Sequence, residues 1–354
     1  MTFRRDRPDR CERFDRAGPS RRALLAAALS LPALVRAQAG APAEVVLATP
    51  GPASAVSMIP ELAVKIGADR AEGVALRLKF VAGGGVAIRE IYNGNAQFGV
   101  FGLPAAMNEN LAEVRLVALA AVEDRTPLSV MVRSDLRGSV RRVEDLRGRV
   151  LGVHSNSLTT MTTGQQFLIL ALRRAGVPPD AVRFVAAGQS WDTQSGALRG
   201  KLADAIVSEE PFGLRLEQEG LAFALLRIGH PGEADTLPGA GFLRGTLIAR
   251  RSLAEAQPQL AEQLVRVMQR TLAWRQGKSS QAVVDALGLA GAEALAFRTL
   301  LDTYPRLFSS DGKFSQAQLE QTLLFFREGA GQSPESMRLQ MAPMVLDRWA
   351  GRKP

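Results

Sequence analysis

Phe80-Val81-Ala82-Gly83-Gly84-Gly85, followed after a helix-length stretch by Asn93-Gly94 and the small-residue run Phe98-Gly99-Val100-Phe101-Gly102, decides the fold because the chain repeats it. About a hundred residues later it reads Phe184-Val185-Ala186-Ala187-Gly188, another helix-like stretch, Arg199-Gly200, and then Ala203-Asp204-Ala205-Ile206-Val207-Ser208. Each copy has the order strand, Gly turn, helix, strand of a βαβ unit. Two such units predict two similar lobes, and two lobes predict a cleft.

Upstream, Glu44-Val45-Val46-Leu47-Ala48 reads as a buried first strand stopped by Thr49-Pro50-Gly51-Pro52, with a helix at 60–66. Between the copies, 114–122 is an apolar strand and Thr126-Pro127-Leu128-Ser129-Val130-Met131-Val132 a crossing into the second lobe. That lobe's first central strand is 149–153, ended by His154-Ser155-Asn156-Ser157, and a helix is expected over 162–175. Downstream, 221–228 adds a strand, 229–241 is a Gly/Pro-rich loop, and Gly245-Thr246-Leu247-Ile248-Ala249 returns the chain to the first lobe. From Ser252 the apolar spacing is helical, with further helices expected near 292–301, 316–327 and 341–349. The pattern predicts the α/β class: two mostly parallel sheets flanked by helices, right-handed crossovers, and a helical C-terminal region on the first lobe. The expected division is 40–127 for the first part of lobe 1, 128–246 for lobe 2 and 247–354 for the return. Two domains are also what this length favours.

Residues 1–22 are polar and Arg-rich, and Ser20-Arg21-Arg22-Ala23-Leu24-Leu25 has the twin-arginine form. An apolar stretch over 23–35 and the small-x-small pattern Ala37-Gln38-Ala39 complete an export signal, 1–39, with a mature start at Gly40. The stretch is too short for a membrane span, which takes about 20 residues. The full chain carries +9, of which the leader supplies +5, so +4 remains on the exported part. That surplus is too mild and too dispersed for a nucleic-acid binder. The one cysteine, Cys11, falls in the leader, so the mature chain has no thiol, disulfide or Cys metal site. His154 and His230 are the only histidines and lack metal-ligand spacing. No Gly-x-Ser-x-Gly or Walker-type motif appears, and the Gly triplet lacks the full dinucleotide fingerprint.

In open α/β sheets ligands bind beyond the carboxyl ends of the strands. Five segments fall at such ends, 49–54, 83–85, 102–103, 155–160 and 188–191, all rich in Gly, Ser and Thr. Gly permits close backbone approach, and helix N-termini offer free N–H groups that favour an anion. Trp191 is either an aromatic platform for a planar ligand or a core residue of the helix it opens. Arg125 and Arg244 flank the two crossings and read as solvated surface arginines, with an anionic ligand as the alternative partner. Glu209-Glu210 ends a strand and offers acceptors to a ligand amine, but adjacent strand residues point opposite ways, so at most one faces the cleft.

Arg147-Gly148-Arg149-Val150-Leu151-Gly152-Val153, Gly200-Lys201-Leu202-Ala203-Asp204-Ala205 and Ser208-Glu209-Glu210-Pro211 resemble signature stretches of the substrate-binding proteins of nitrate/sulfonate/taurine-type ABC importers. Their superfamily includes binders of thiamine-pyrimidine precursors. The resemblance implies a bilobal, type II periplasmic-binding fold with two crossover strands. It further implies a small-molecule ligand between the lobes, a permease partner in the inner membrane, export machinery, a periplasmic location and no cofactor. Carried over, the pocket positions fall on Thr49, Pro50, Gly51, Ser54, Gly84, Gly102, Ser155, Ser157, Thr159, Gly188 and Glu210, to which Trp191 is added as the platform. Gln97 stands where the first lobe often has an acidic residue, and His154 precedes the Ser loop. The Cys-rich motif of the related pyrimidine-synthesising enzyme is absent. Small organic anions lead as ligands, heteroaromatic vitamin precursors follow, and a non-transport sensor is a third use.

Overall fold

Among the described residues, apolar side chains alternate or run continuously through ten strands, and these sort into two five-stranded sheets. The computed structural model describes residues 42–125, 127–154, 161–231 and 236–353; the expected export signal, Ser155, Ser157 and Thr159 lie outside them. The first sheet has the order β2-β1-β3-β10-β4, built from β1 (Ala43–Pro50), β2 (Val74–Val81), β3 (Phe98–Gly102), β4 (Leu116–Ala121) and β10 (Gly245–Arg250). β1 runs parallel to β2 from Ala43 opposite Val74 to Pro50 opposite Val81, whereas β10 is antiparallel to both its neighbours. The second sheet has the order β7-β6-β8-β5-β9, from β5 (Leu128–Arg133), β6 (Val150–Val153), β7 (Arg183–Ala186), β8 (Ala205–Glu209) and β9 (Ala222–Ile228). There β5 is the antiparallel member.

The two orders are the same, and in each sheet the antiparallel strand is the one that arrives from the other lobe. The chain crosses once into β5 and once back into β10. The repeated unit is therefore real structure: β2, helix Gly84–Tyr92 and β3 in one lobe, β7, helix Trp191–Arg199 and β8 in the other. This is the bilobal α/β fold of periplasmic binding proteins, as expected.

The period of two is visible in packing. Val130 and Val132 of β5 enter one core of the second lobe, and Met131 between them enters the core on the opposite face. The first lobe has a single large core in which Phe98, Phe101, Phe297 and Phe326 are almost fully buried. Each such side chain contributes roughly 1.5–3 kcal/mol.

Three details depart from expectation. The 341–349 stretch is not a helix: Pro343 limits it to a 3-10 turn, Ala342–Met344, after which Val345 bridges to Ala118 of β4. The return begins at Gly245, opposite Gly102, so residues 245 and 246 belong to the first lobe's sheet. The C-terminal helices do not rest on the first lobe alone. Phe325 of helix Gln316–Gly329 stacks on Phe242 in the second lobe's core, ring centroids 4.0 Å apart, and Arg173 Nη1 donates to the Gly329 carbonyl at 2.9 Å. A helix Leu103–Glu109 also follows β3 directly, with Pro104 in its first turn, where the missing N–H is no loss.

Candidate functional site

The carboxyl ends of both sheets meet, and the first lobe brings mainly backbone to the meeting. β1 ends in Thr49, whose Oγ1 donates to the Val100 carbonyl at 3.0 Å, and then Pro50 and Gly51 turn toward the other lobe. Ser54 caps helix Ala55–Lys65 in a capping box with Ser57. Glu61 Oε1 braces this turn, accepting from the Ala53 N–H at 3.1 Å and Ser57 Oγ at 2.6 Å, and so holds Ala53 at a left-handed φ of 55°. Burial pushes the Glu61 carboxyl up. The hydroxyls of Thr49 and Ser54 are thus used within their own lobe.

Contacts between the lobes are close. The Ala55 N–H donates to the Glu210 carbonyl at 3.2 Å, and Gln166 Nε2 donates to the Pro104 carbonyl at 3.2 Å. A methyl group on Gly51 would sit 2.1 Å from the Gln189 carbonyl oxygen, and one on Gly102 would sit 2.3 Å from Thr163 Oγ1. Glycine at both positions permits this approach. Between these contacts lies a cavity of about 20 Å³ walled by Pro50, Gly84 and Gly102 from one side, His154, Thr163 and Gln189 from the other, and Arg244. That is room for about one water molecule in this closed conformation.

Arg244, on the returning crossing, is 3% exposed and lies between two carboxylates. Its Nη1 is 3.3 Å from Glu123 Oε2 at the end of the first sheet, and its Nη2 pairs with Glu209 Oε2 at the end of β8. Gln189 Nε2 donates to the other Glu209 oxygen at 2.7 Å. Burial raises the Glu123 carboxyl above its usual range and lowers the Arg244 guanidinium. His154 is pushed down to about 3, by burial first and by Arg244 second, and is therefore neutral. Three buried atoms at the cavity have no hydrogen-bond partner: His154 Nε2, Thr163 Oγ1 and Gln189 Oε1.

Of the positions expected to touch ligand, Pro50, Gly84 and Gly102 line the cavity. Gly188 does not; at φ 70° it forms the turn against Thr193, and its successor Gln189 reaches the cavity instead. Trp191 lies at a separate surface cleft beneath the Arg215 guanidinium, 3.7 Å from its ring centre. Strand alternation turns Glu209, not Glu210, toward Arg244. Glu210 Oε2 instead accepts from the Leu214 N–H at 2.7 Å, and burial raises its carboxyl to about 7. Arg244 is buried and paired, contrary to the solvated reading, whereas Arg125 is exposed. Gln97 serves the fold, its Oε1 accepting from the Val46 N–H at 2.8 Å. Glu123, His154 and Thr163 were not among the expected ligand positions, and Gln189 was covered only by the expected segment 188–191. A signal existed for one of them: Glu123 directly follows the apolar run of 116–122, where a charge requires a partner.

A family model described as NMT1/THI5 like matches residues 70–282. No curated protein matches the chain in sequence. Among solved structures it is similar to a protein of Bordetella bronchiseptica RB50, with TM-score 0.78 and 18% identity over 87% of this chain and 96% of that one. It is similar to the alkanesulfonate-binding protein SsuA of Xanthomonas axonopodis pv. citri bound to MOPS, with TM-score 0.66 and 18% identity over 86% and 99%. It is also similar to the desulfurization enzyme DSZB, with TM-score 0.54 and 16% identity over 87% and 97%. At these identities the likeness is one of fold alone.

Proposed function

Because the chain belongs to the NMT1/THI5-like family, whose match takes in more than half of it, we propose that it is an extracytoplasmic solute-binding protein that takes up one small molecule between its lobes and delivers it to an ABC permease. The observation that carries this reading is the cavity walled by both lobes, with three buried polar atoms lacking partners. Each unsatisfied atom costs about 1–3 kcal/mol, which a ligand supplying the missing bonds removes. Because the cavity as it stands holds about one water, a solute requires the lobes to part about the two crossings and then to close on it less tightly than on the empty cavity. Residues 1–39 support export to the periplasm, by the twin-arginine or the general route, with cleavage near Ala39.

Within this reading the geometry favours a neutral or cationic solute bearing N–H donors, such as an amino-substituted heteroaromatic, over the small organic anion that leads from sequence. The guanidinium at the cavity already faces two carboxylates, and His154 is neutral. Among the described lining residues no positive charge is left for a sulfonate. Gln189 Oε1 is a free acceptor. A thermal-shift panel of aminopyrimidines, amines, alkanesulfonates, taurine and nitrate tests this. A rise of several degrees with a donor-bearing solute supports it; micromolar binding confined to sulfonates or nitrate overturns the ligand class. Because a desulfurization enzyme shares the fold, catalysis is the second reading, and turnover of a bound solute by the purified protein would replace transport with it.

A further inference from the structure

A second cleft, of about 550 Å³, opens beside the two crossings and shares no lining residue with the inter-lobe cavity. Its size is in the range of small-molecule sites. Arg125, Arg275 and Arg306 line it together, and among the described residues none of the three has a carboxylate within ion-pair distance. Asp124 is the one acidic residue described in the lining, and Lys353 Nζ holds it at 2.7 Å. The guanidinium of Arg275 lies 5.1 Å over the ring of Phe308 and is half-buried. Burial lowers its proton affinity, and no carboxylate opposes that effect. Elsewhere the chain pairs its buried guanidinium, Arg244, twice over. A half-buried, unpaired guanidinium flanked by two more is what a bound anion would complete, since guanidinium forks match carboxylate and phosphoryl oxygens two at a time.

We propose that this cleft is a second ligand site, for a small anion of two or more negative charges, of the phosphate-ester or polycarboxylate class. Gly229, Ala240 and Gly241 reach it from the second lobe's side of the return crossing, and Arg275 and Phe308 from the first lobe. An occupant therefore touches both lobes beside the two crossings. The proposal does not depend on what the inter-lobe cavity binds.

Titrating the purified protein with pyrophosphate and with citrate at constant ionic strength, with acetate as the monovalent control, tests it by thermal shift and calorimetry. A saturable rise in melting temperature with either multivalent anion, at least tenfold weaker for acetate, is expected; response to one alone identifies the phosphoryl or the carboxylate source. Arg275→Gln with Arg306→Gln should weaken binding at least tenfold and lower the unliganded melting temperature by no more than about 4 °C, because neither side chain has an ion-pair partner to lose and Arg275 gives up only its contact with Phe308. If the double variant does not fold, Arg125→Gln, at an exposed position, should still weaken binding about threefold. No saturable shift, equal response to acetate, or unchanged affinity in the folded variants overturns the site.

Discussion

The two lobes share one strand order and face the cleft with different chemistry. The first presents Pro50, Gly51, Gly84 and Gly102, whose contribution is closeness; the second presents His154, Thr163, Gln189 and Glu209, whose contribution is polar side chains. The difference begins in the repeated turn itself, a bare Gly triplet in one copy and Gly188-Gln189-Ser190 in the other. One lobe is a smooth platen of backbone and the other carries the polar side chains. Arg244 is the exception that joins them, since it lies on the crossing directly before the first lobe's return strand and pairs with a carboxylate at the end of each sheet.

The harshest way to break this comparison is Arg244→Ala. It leaves Glu123 and Glu209 buried with no countercharge, and removing one partner of a buried ionic group costs about 3–5 kcal/mol. Adding Glu209→Gln to that variant should recover part of the loss, because it removes one of the stranded charges; the two effects should not add. Urea unfolding of the single and double variants reads both numbers. A loss under about 1 kcal/mol for Arg244→Ala would mean that the arginine does not join the lobes.

The second lobe's side chains should also dominate the pH profile. Glu210 titrates near 7 in the folded chain against an ordinary 4.5, so the fold binds its proton more tightly than the unfolded chain does. The stability it brings is complete below pH 4.5 and is lost as pH rises through 7, a change of roughly 3 kcal/mol. His154 has the opposite sign: at about 3 against an ordinary 6.5, it leaves stability intact above pH 6.5 and erodes it as pH falls, by roughly 3 kcal/mol at pH 4.5. Between pH 4.5 and 6.5 the two slopes oppose each other. Glu210→Gln should therefore gain about 3 kcal/mol at alkaline pH and unmask a curve that rises with pH, and His154→Phe should unmask one that falls. Parallel stability–pH curves for parent and both variants would remove the titrating role from this lobe.

Sequence alone carried the fold well and the site only in part. The βαβ order, both crossings and the cleft follow from periodicity and Gly turns, which are local properties. Which of Glu209 and Glu210 faces inward is also local in principle, but it depends on where β8 sits in the sheet, and that is set by pairing with β5 and β6 far along the chain. Arg244 reads as a solvated surface arginine because its two partners lie 121 and 35 residues away. The path of helix Gln316–Gly329 into the second core was invisible for the same reason: Phe325 and Phe326 are adjacent in sequence but enter different cores.

Gly51→Ala tests the platen directly. The obstacle to its methyl group is the Gln189 carbonyl, backbone that cannot swing aside, so the lobes themselves must separate. Overpacking of this kind costs about 1–3 kcal/mol. Here it should appear as a more open average shape in solution scattering and at least tenfold weaker solute binding, with each lobe's core intact. Unchanged scattering and affinity would mean that the lobes do not close through this contact.

The gentlest test compares the two helix caps that follow the turns. Ser54 and Ser190 each cap a helix at the cleft end of their own lobe, through the same reciprocal box, with Ser57 and Thr193 as partners. Replacing either by Ala removes one side-chain bond to an otherwise unpaired helix N–H, a loss of about 0.5–2 kcal/mol. The two should not lose equally. Ser54 is fully buried, so water cannot replace its bond, while Ser190 is partly exposed and water can. Ser54 also stands in a chain of hydrogen bonds with Ser57 and Glu61 that holds the left-handed Ala53 beside Gly51. Ser54→Ala should fall in the upper half of the range and weaken solute binding; Ser190→Ala should fall in the lower half and leave binding within about twofold. The reverse ranking would mean that the first lobe's turn is held by its backbone alone, and that its smoothness needs no polar support.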